Sequence, residues 1–433
     1  MDHRDANRPA RNVAVDFLRA SGVILIVLGH WLASSVTYHD GRFGRQNPLV
    51  DQPWTQWLTW GFQAVPTFFM VAGYATAVSW AHRRGDEGFS RQNWLRHRLA
   101  RVLGPTAVYV GVILTVVAVL RMTGQAGSVV QYAGWAVAMQ LWFLAVYVVV
   151  VSSTPIALAA QRRWGLWAAV ALAAAAVLVD VATMAYHVPH IGLLNYLFCW
   201  GAFYQLGIAW QAGQLAGVRP VLLAAGSGAV LALLVWRGHY PVSMIGVPGQ
   251  QVQNTTPPTV ALLAFGCAQI GIGTALVPAL NRALRPSGAR RVVAVVNNNV
   301  MALYLWHMVP VVLVAVVGYP AGLFPQPAEG TADWWLFRLE WIAILIVVTG
   351  AEITLLFWGR RFFAAALPVL TVPIPERWAE PLLLVGAAMT TYALACFAAD
   401  GFAPDGRFPW LRALVFGVGA ALVAVRARRP LHQ

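Results

Sequence analysis

The chain has 433 residues, of which 59% are hydrophobic and 11% charged, against about 25% charged in ordinary soluble domains, which excludes a single water-soluble core. Its net charge of +14 rests on 30 arginines and no lysine, strung between apolar runs instead of gathered on one domain. Membrane topology accounts for such a pattern, and nucleic-acid binding is not expected.

A membrane-spanning helix takes about 20 mainly apolar residues. In chain order that length fits about twelve segments: 13–36, 56–80, 102–120, 131–152, 164–186, 191–210, 219–236, 259–281, 292–317, 336–358, 379–398 and 409–426. The expected fold is an all-α polytopic bundle of about 12 transmembrane helices. The 20 Trp, 25 Pro and 38 Gly suit it, since membrane helices tolerate Gly and Pro and collect Trp at the interfaces. The first run is read as a mature helix, because it is long, carries Asp16 and Arg19 and lacks a small-residue cleavage site. The three-proline segment 362–378 is expected to lie along the inner interface. With the N terminus inside, 22 arginines fall on cytoplasmic segments and 7 outside, which predicts that both termini are cytoplasmic. Outside loops at about 37–55, 237–258 and 318–335 are long enough to line an opening. Cys199, Cys267 and Cys396 sit in apolar runs without a metal or redox spacing and read as core residues.

Ionisable groups at membrane depth cost about 2.5–3.5 kcal/mol on insertion scales, so they stand out. The first span holds Asp16, Arg19 and His30. The eleven residues from Arg19 to His30 turn a helix by about 1100°, within about 20° of one face, and rise about 16 Å. Asp16 falls about 40° from His30, so the three form one stripe. Arg19 reads either as a snorkelling side chain paired with Asp16 or as part of a site. His30 reads either as a hydrogen-bonded structural histidine or as a base that exchanges protons near neutral pH. In the ninth span, VVNNNVMALYLWHMVPV sets His307 about 22 Å from the inner end, at matching depth. Asn297, Asn298 and Asn299 below it must face other helices or a wet cavity. Asp180 and Glu352 are further buried acids, structural or lining. The densest charge cluster precedes the third span, where Arg98 and Arg101 stand one turn apart. They either set topology beside lipid headgroups or grip phosphate.

Together, DFLR at 16–19, the Arg19-x10-His30 spacing, VPTFFMVAG at 65–73, RLAR at 98–101, QLWFLAVY at 140–147 and YLWH at 304–307 resemble membrane-bound acyltransferase family 3. These bacterial enzymes O-acylate surface polysaccharides, lipids and small molecules. The resemblance runs over about 13–358. Ala72 departs from it, standing where the family's FFxxSG pattern places Ser. The family core is about ten helices, so 1–358 is expected to be the acyltransferase-like core. The interfacial segment and two extra C-terminal helices, 359–433, look like an addition.

The resemblance implies transfer of an acyl group, acetyl by default, from cytosolic acyl-CoA to a hydroxyl of an envelope glycan, glycolipid or lipid-linked sugar. It places the protein in the inner (plasma) membrane as a multi-pass enzyme. His30 would be the base, with Asp16, Arg19 and His307 in the catalytic group. Arg98, Arg101 and Arg19 would hold or place the coenzyme. Acyl transfer also needs oxyanion stabilisation, for which Asn298, Trp142, Tyr147 or His307 are candidates, and Glu352 is a candidate lining group. Without a Gly-x-Ser-x-Gly elbow or a plausible nucleophilic Cys, direct transfer is expected over an acyl-enzyme. No metal is expected. The expected partners are acyl-CoA, a sugar or lipid acceptor and the bilayer, with a homodimer as an option. A continuous cavity is expected from Arg98 and Arg101, past Arg19, to His30 and His307. The alternative is a twelve-helix secondary transporter or lipid flippase; such folds are built from repeats, and the two halves here share no motif.

Overall fold

The computed structural model describes residues 12–85 and 89–427. Both chain ends, and with them Arg4, Arg8, Arg11, Arg428 and Arg429 of the charge count, lie outside the described residues. The protein is an all-α bundle. Its first half comprises α1 (Val13–Ala33), α2 (Val65–Arg84), α3 (Arg91–Met122), α4 (Gly127–Ala136), α5 (Leu141–Ser152), α6 (Thr154–Trp164), α7 (Trp167–Met184) and α8 (Asn195–Gln211). The second half comprises α9 (Arg219–Trp236), α10 (Val260–Ala275), α11 (Val277–Ala283), α12 (Ser287–Trp306), α13 (Val309–Gly318), α14 (Ala332–Trp358), α15 (Glu376–Asp400) and α16 (Trp410–Ala424). Side-chain caps start several of them: Asn12 accepts from the Ala14 amide, Ser90 from Asn93 and Thr331 from Trp334.

Among the described residues, eight helices are long and apolar enough to cross a membrane, and eleven if each of three bent pairs is one span. The expected twelfth, α16, has 15 residues and so a length of about 22 Å, short of a ~30 Å hydrocarbon core. The bent pairs are α4–α5 (44°), α10–α11 (49°) and α12–α13 (54°), each read from sequence as one continuous span. Pro278 and Pro310 explain two of the bends, since proline donates no N–H to the preceding turn. The first bend has no proline; the Gln140 amide fills it, donating to the Val137 and Leu305 carbonyls at 2.9 and 3.1 Å.

The core forms where small residues let helices touch. A Cβ on Gly73 of α2 would come within 2.0 Å of the Tyr204 carbonyl oxygen on α8, and one on Gly207 within 1.9 Å of the Met70 carbonyl oxygen. These reciprocal glycines bring the backbones of α2 and α8 together, as small residues do at membrane-helix crossings. Phe69 then stacks on Trp200, centroids 5.1 Å apart. Residues 362–378 form no spanning helix: the Leu367 amide donates to the Ala100 carbonyl, 3.0 Å away.

At the end opposite the Arg98 cluster, the far end, β1 (Ser35–His39) and β2 (Arg42–Gln46) pair as an antiparallel hairpin. Gln326, from the loop before α14, brackets the hairpin's Tyr38 by accepting from its amide (2.7 Å) and donating to its carbonyl (2.6 Å). Near the chain's other end, β3 (Leu370–Val372) runs parallel to β4 (Val425–Ala427).

Candidate functional site

The polar stripe of α1 packs along α12, and the two helices run parallel. At the arginine-rich end the Arg19 Nε donates to Asn297 Oδ1 (2.6 Å), and its guanidinium pairs with Asp16 at 3.3 Å. Asn297 in turn donates to the Asp16 carbonyl at 2.7 Å. Toward the far end His30 Nδ1 lies 2.8 Å from His307 Nε2, the ring planes parallel to within 8°. The one-face geometry of Asp16, Arg19 and His30 is therefore realised as a helix seam closed at both ends.

The histidine pair carries its own proton assignment. His307 is fully buried, and its Nδ1 lies 2.8 Å from the Tyr304 carbonyl oxygen. A carbonyl only accepts, so His307 Nδ1 carries the hydrogen and its Nε2, in the neutral ring, is an acceptor. His30 Nδ1 must then be the donor in the pair. That leaves the lone pair of His30 on Nε2, the arrangement a general base needs.

Two further groups fix this end of α1. Trp31 Nε1 donates to the His307 carbonyl at 2.9 Å. Arg338 of α14, 2% exposed, donates to the carbonyls of Trp31 (2.6 Å), Leu32 (3.1 Å) and Ser34 (2.8 Å). A cation at the last carbonyls of a helix is favourable both as hydrogen-bond donor and against the helix dipole. Sequence reasoning counted Arg338 only as a loop charge. Its available signal was a lone cation inside an apolar helix.

His30 stands on the wall of a cavity of about 1080 Å³ in the far half of the bundle. Its walls include Phe68 of α2, Trp135 of α4, Trp142 and Phe143 of α5, Tyr196 of α8 and Tyr304 of α12. The loops expected at 37–55 and 237–258 do line it, through residues such as Arg45 and Gln253. A parallel helix seam that sets DFLR against Asn297 and His30 against YLWH, beside an aromatic cavity, can hold a hydroxyl compound against an imidazole. The family model for an acyltransferase domain, acyltransferase 3, matches residues 12–358. The chain belongs to this family. No curated protein and no solved structure matches it.

In this membrane acyltransferase the remaining candidates are dispersed. Neither Arg19, Arg98, Arg101 nor His307 lines the cavity, so the expected continuous passage is not formed among the described residues. Aromatic packing closes it: Phe143 on the cavity wall lies against Tyr147 (5.8 Å between centroids) and Phe69 (5.2 Å). Beyond them Arg98 donates to Thr76 at 2.6 Å, while Arg101 is exposed. The most buried arginine of that cluster is Arg96, whose Nε lacks a hydrogen-bond partner. Its neighbours in the cluster gave no signal that would single it out. Of the four oxyanion candidates only Trp142 lines the cavity. Asn298 points away from the site and is exposed, Tyr147 sits in the aromatic packing, and His307 is engaged with His30. Glu352 is half-buried on α14, outside the cavity wall, with Oε2 unpartnered. Asp180 is structural: it accepts from the Tyr240 hydroxyl (2.8 Å) and the Val260 amide (3.0 Å) at the start of α10.

Proposed function

We propose that this membrane acyltransferase is acyl-CoA-dependent, moving an acyl group, acetyl by default, from cytosolic acyl-CoA to a hydroxyl of an envelope glycan, glycolipid or lipid-linked sugar. The observation that carries the reading is the His30–His307 pair, which leaves His30 Nε2 unprotonated on a ring at the cavity wall. The acceptor hydroxyl gives its proton to Nε2 as its oxygen attacks the thioester carbonyl. The new C–O bond forms and the C–S bond breaks; the coenzyme leaves as a thiolate that recovers the proton from Nε2–H. His307 orients the ring and shares the transient positive charge, a positioning role that a fixed second group plays in other His-dependent acyl transfers. Trp142 is the remaining candidate donor to the developing oxyanion.

Arg98 and Arg101 would hold the coenzyme phosphates at the arginine-rich end, with Arg19 and Asp16 shaping the seam between that end and the base. The donor's thioester arm would then have to part the Phe143–Tyr147 packing to reach His30. That end is cytoplasmic and the enzyme sits in the inner membrane on this reading.

The test is thiol release from acetyl-CoA by purified protein in proteoliposomes, with and without a glycolipid acceptor. Acceptor-dependent release supports the reading. Proton- or substrate-driven uptake without thiol release would sink it in favour of a transporter.

A further inference from the structure

The first turns of α3 present arginine on two different faces. At about 100° per residue, Arg98 stands about 160° and Arg101 about 140° from Arg96. Arg98 turns to α2, where it bonds Thr76. The Arg96 face continues through Ala100 and Gly104, about 40° and 80° further round, and it is covered by chain that lies beyond the family match. The Leu367 amide donates to the Ala100 carbonyl at 3.0 Å, and a Cβ on Gly104 would come within 2.1 Å of the Ala365 carbonyl oxygen. Just after Leu367, Thr371 of β3 pairs in register with Arg426 of β4. At the start of α3, Arg91 is bound to Glu380 of α15 at 2.7 Å. The C-terminal segment therefore clasps the beginning of α3 on the Arg96 side.

Inside that clasp Arg96 has no counter-charge. It is 7% exposed, its Nε lacks a hydrogen-bond partner, and so does the buried Nε2 of Gln92, one turn earlier on the same face. Glu380, the acid that reaches the start of α3, is taken by Arg91. The charge that acts on Arg96 is a second cation, the exposed Arg426. A buried cation without a partner is costly, and a like charge across the interface adds repulsion. The ligand that reverses both effects is an anion with several acceptor oxygens. Phosphate fits, because guanidinium forks match its geometry and an amide N–H takes a further oxygen. Asn93 Oδ1 beside them is unpartnered too, and turning that amide over presents its Nδ2 as another donor.

We propose that Arg96, Gln92 and Arg426 form a phosphate-binding site between the core and the C-terminal segment, separate from the Arg98–Thr76 contact. The phosphate belongs to a lipid headgroup or to a soluble phosphate compound, and from either source it bridges α3 to β4 and holds the clasp shut. The site is read out by binding and does not depend on the transferase reading.

The test uses delipidated full-length protein in dodecyl maltoside. Native mass spectrometry follows binding of dioleoyl phosphatidic acid, inorganic phosphate and coenzyme A, with dioleoylglycerol as the phosphate-free control. A phosphate ligand should bind the wild type and lose about tenfold or more in affinity in Arg426→Gln, an exposed position whose change spares the buried core. Adding Arg96→Gln to Arg426→Gln should weaken binding further by less than the two single losses combined, since both side chains hold one ligand. Hydrogen exchange over residues 367–372 should slow when that ligand is added to the wild type. Loss confined to phosphatidic acid assigns the site to a lipid headgroup; loss confined to inorganic phosphate or coenzyme A assigns it to a soluble phosphate. Phosphatidic acid binding no better than dioleoylglycerol, with phosphate and coenzyme A indifferent to Arg426→Gln, overturns the site. Arg98→Ala weakening the same ligand as much as Arg426→Gln does would merge the two arginine faces and overturn a separate site.

Discussion

The two ends of the bundle differ in how they treat the helix backbone. From the arginine-rich end α3 runs as one helix of 32 residues, and polar groups bond directly across packed helices there, Asp16 and Arg19 with Asn297 and, separately, Arg98 with Thr76. In the far half, α4–α5 and α12–α13 break next to each other, and Gln140 and Tyr304 tie one break to the other. Irregular backbone at membrane depth survives only where protein or a cavity satisfies it. Here both occur together: the breaks are hydrogen-bonded, and the room they leave is the cavity that His30 lines. The third break, α10–α11, lies at the arginine-rich end, where Asn281 accepts from the Ala14 amide (3.1 Å) at the start of α1, and neither of its helices lines that cavity.

Substitutions can separate the roles of the two ends. The largest effect is expected for His30→Ala, a loss of about 10²- to 10⁴-fold in kcat at unchanged membrane level. Retention of half the wild-type turnover would remove His30 as the base. His307→Phe keeps an aromatic ring but deletes the acceptor of the His30 Nδ1 hydrogen, so kcat should fall by less than in His30→Ala while the KM for acyl-CoA holds steady. Unchanged kcat would mean that His30 needs no orientation. Arg338→Gln strips donors from three carbonyls at the end of α1, one of them buried, a loss of about 1–3 kcal/mol that thermal unfolding in detergent should register as a lower Tm. An unaltered Tm would show that the end of α1 is held by something else.

At the opposite end, Arg98→Ala and Arg101→Ala should raise the KM for acyl-CoA more than they lower kcat, because phosphate binding is shared by ground and transition states. Equal loss of kcat at saturating donor would blur the division between the ends. The smallest effect concerns the far-end loops, outside the spans. Burial, with Asp51 nearby, raises the Glu329 carboxyl above its ordinary value of 4.5. A raised acid favours its protonated form in the fold, so the loop contact is strongest at low pH and weakens as pH climbs through the raised value. Hydrogen exchange over residues 47–52, corrected for intrinsic rate, should increase above pH 4.5. Glu329→Gln should flatten that trend.

Much of the bundle was readable because apolar runs of spanning length are hard to hide in a sequence. The α1 stripe was equally readable, since eleven steps of 100° return almost to the starting face. The same arithmetic accounts for the miss at Asn298: it sits one step, about 100°, from Asn297, which faces α1, and so looks outward. Helix breaks were not readable as breaks, because an apolar run stays apolar through Pro278 or Pro310. The closure between Arg98 and the cavity depends on how Phe143, Tyr147 and Phe69 interlock, which spacing along one helix does not report. Arg338 shows a further limit: charge counting treats every terminal arginine alike, whereas three carbonyl contacts from another helix make this one structural.

The seam between α1 and α12 is pinned at Arg19–Asn297 and again at His30–His307. Between the pins lie ten residues of α1 and nine of α12. One residue inserted into either stretch would swing the upper histidine by about 100° and lift it by about 1.5 Å, breaking the pair even if every side chain were otherwise unchanged. The interval therefore behaves as a measured length. Its letters are free to drift among apolar residues, but their number is not, whereas the far-end loops can lengthen without disturbing the pins.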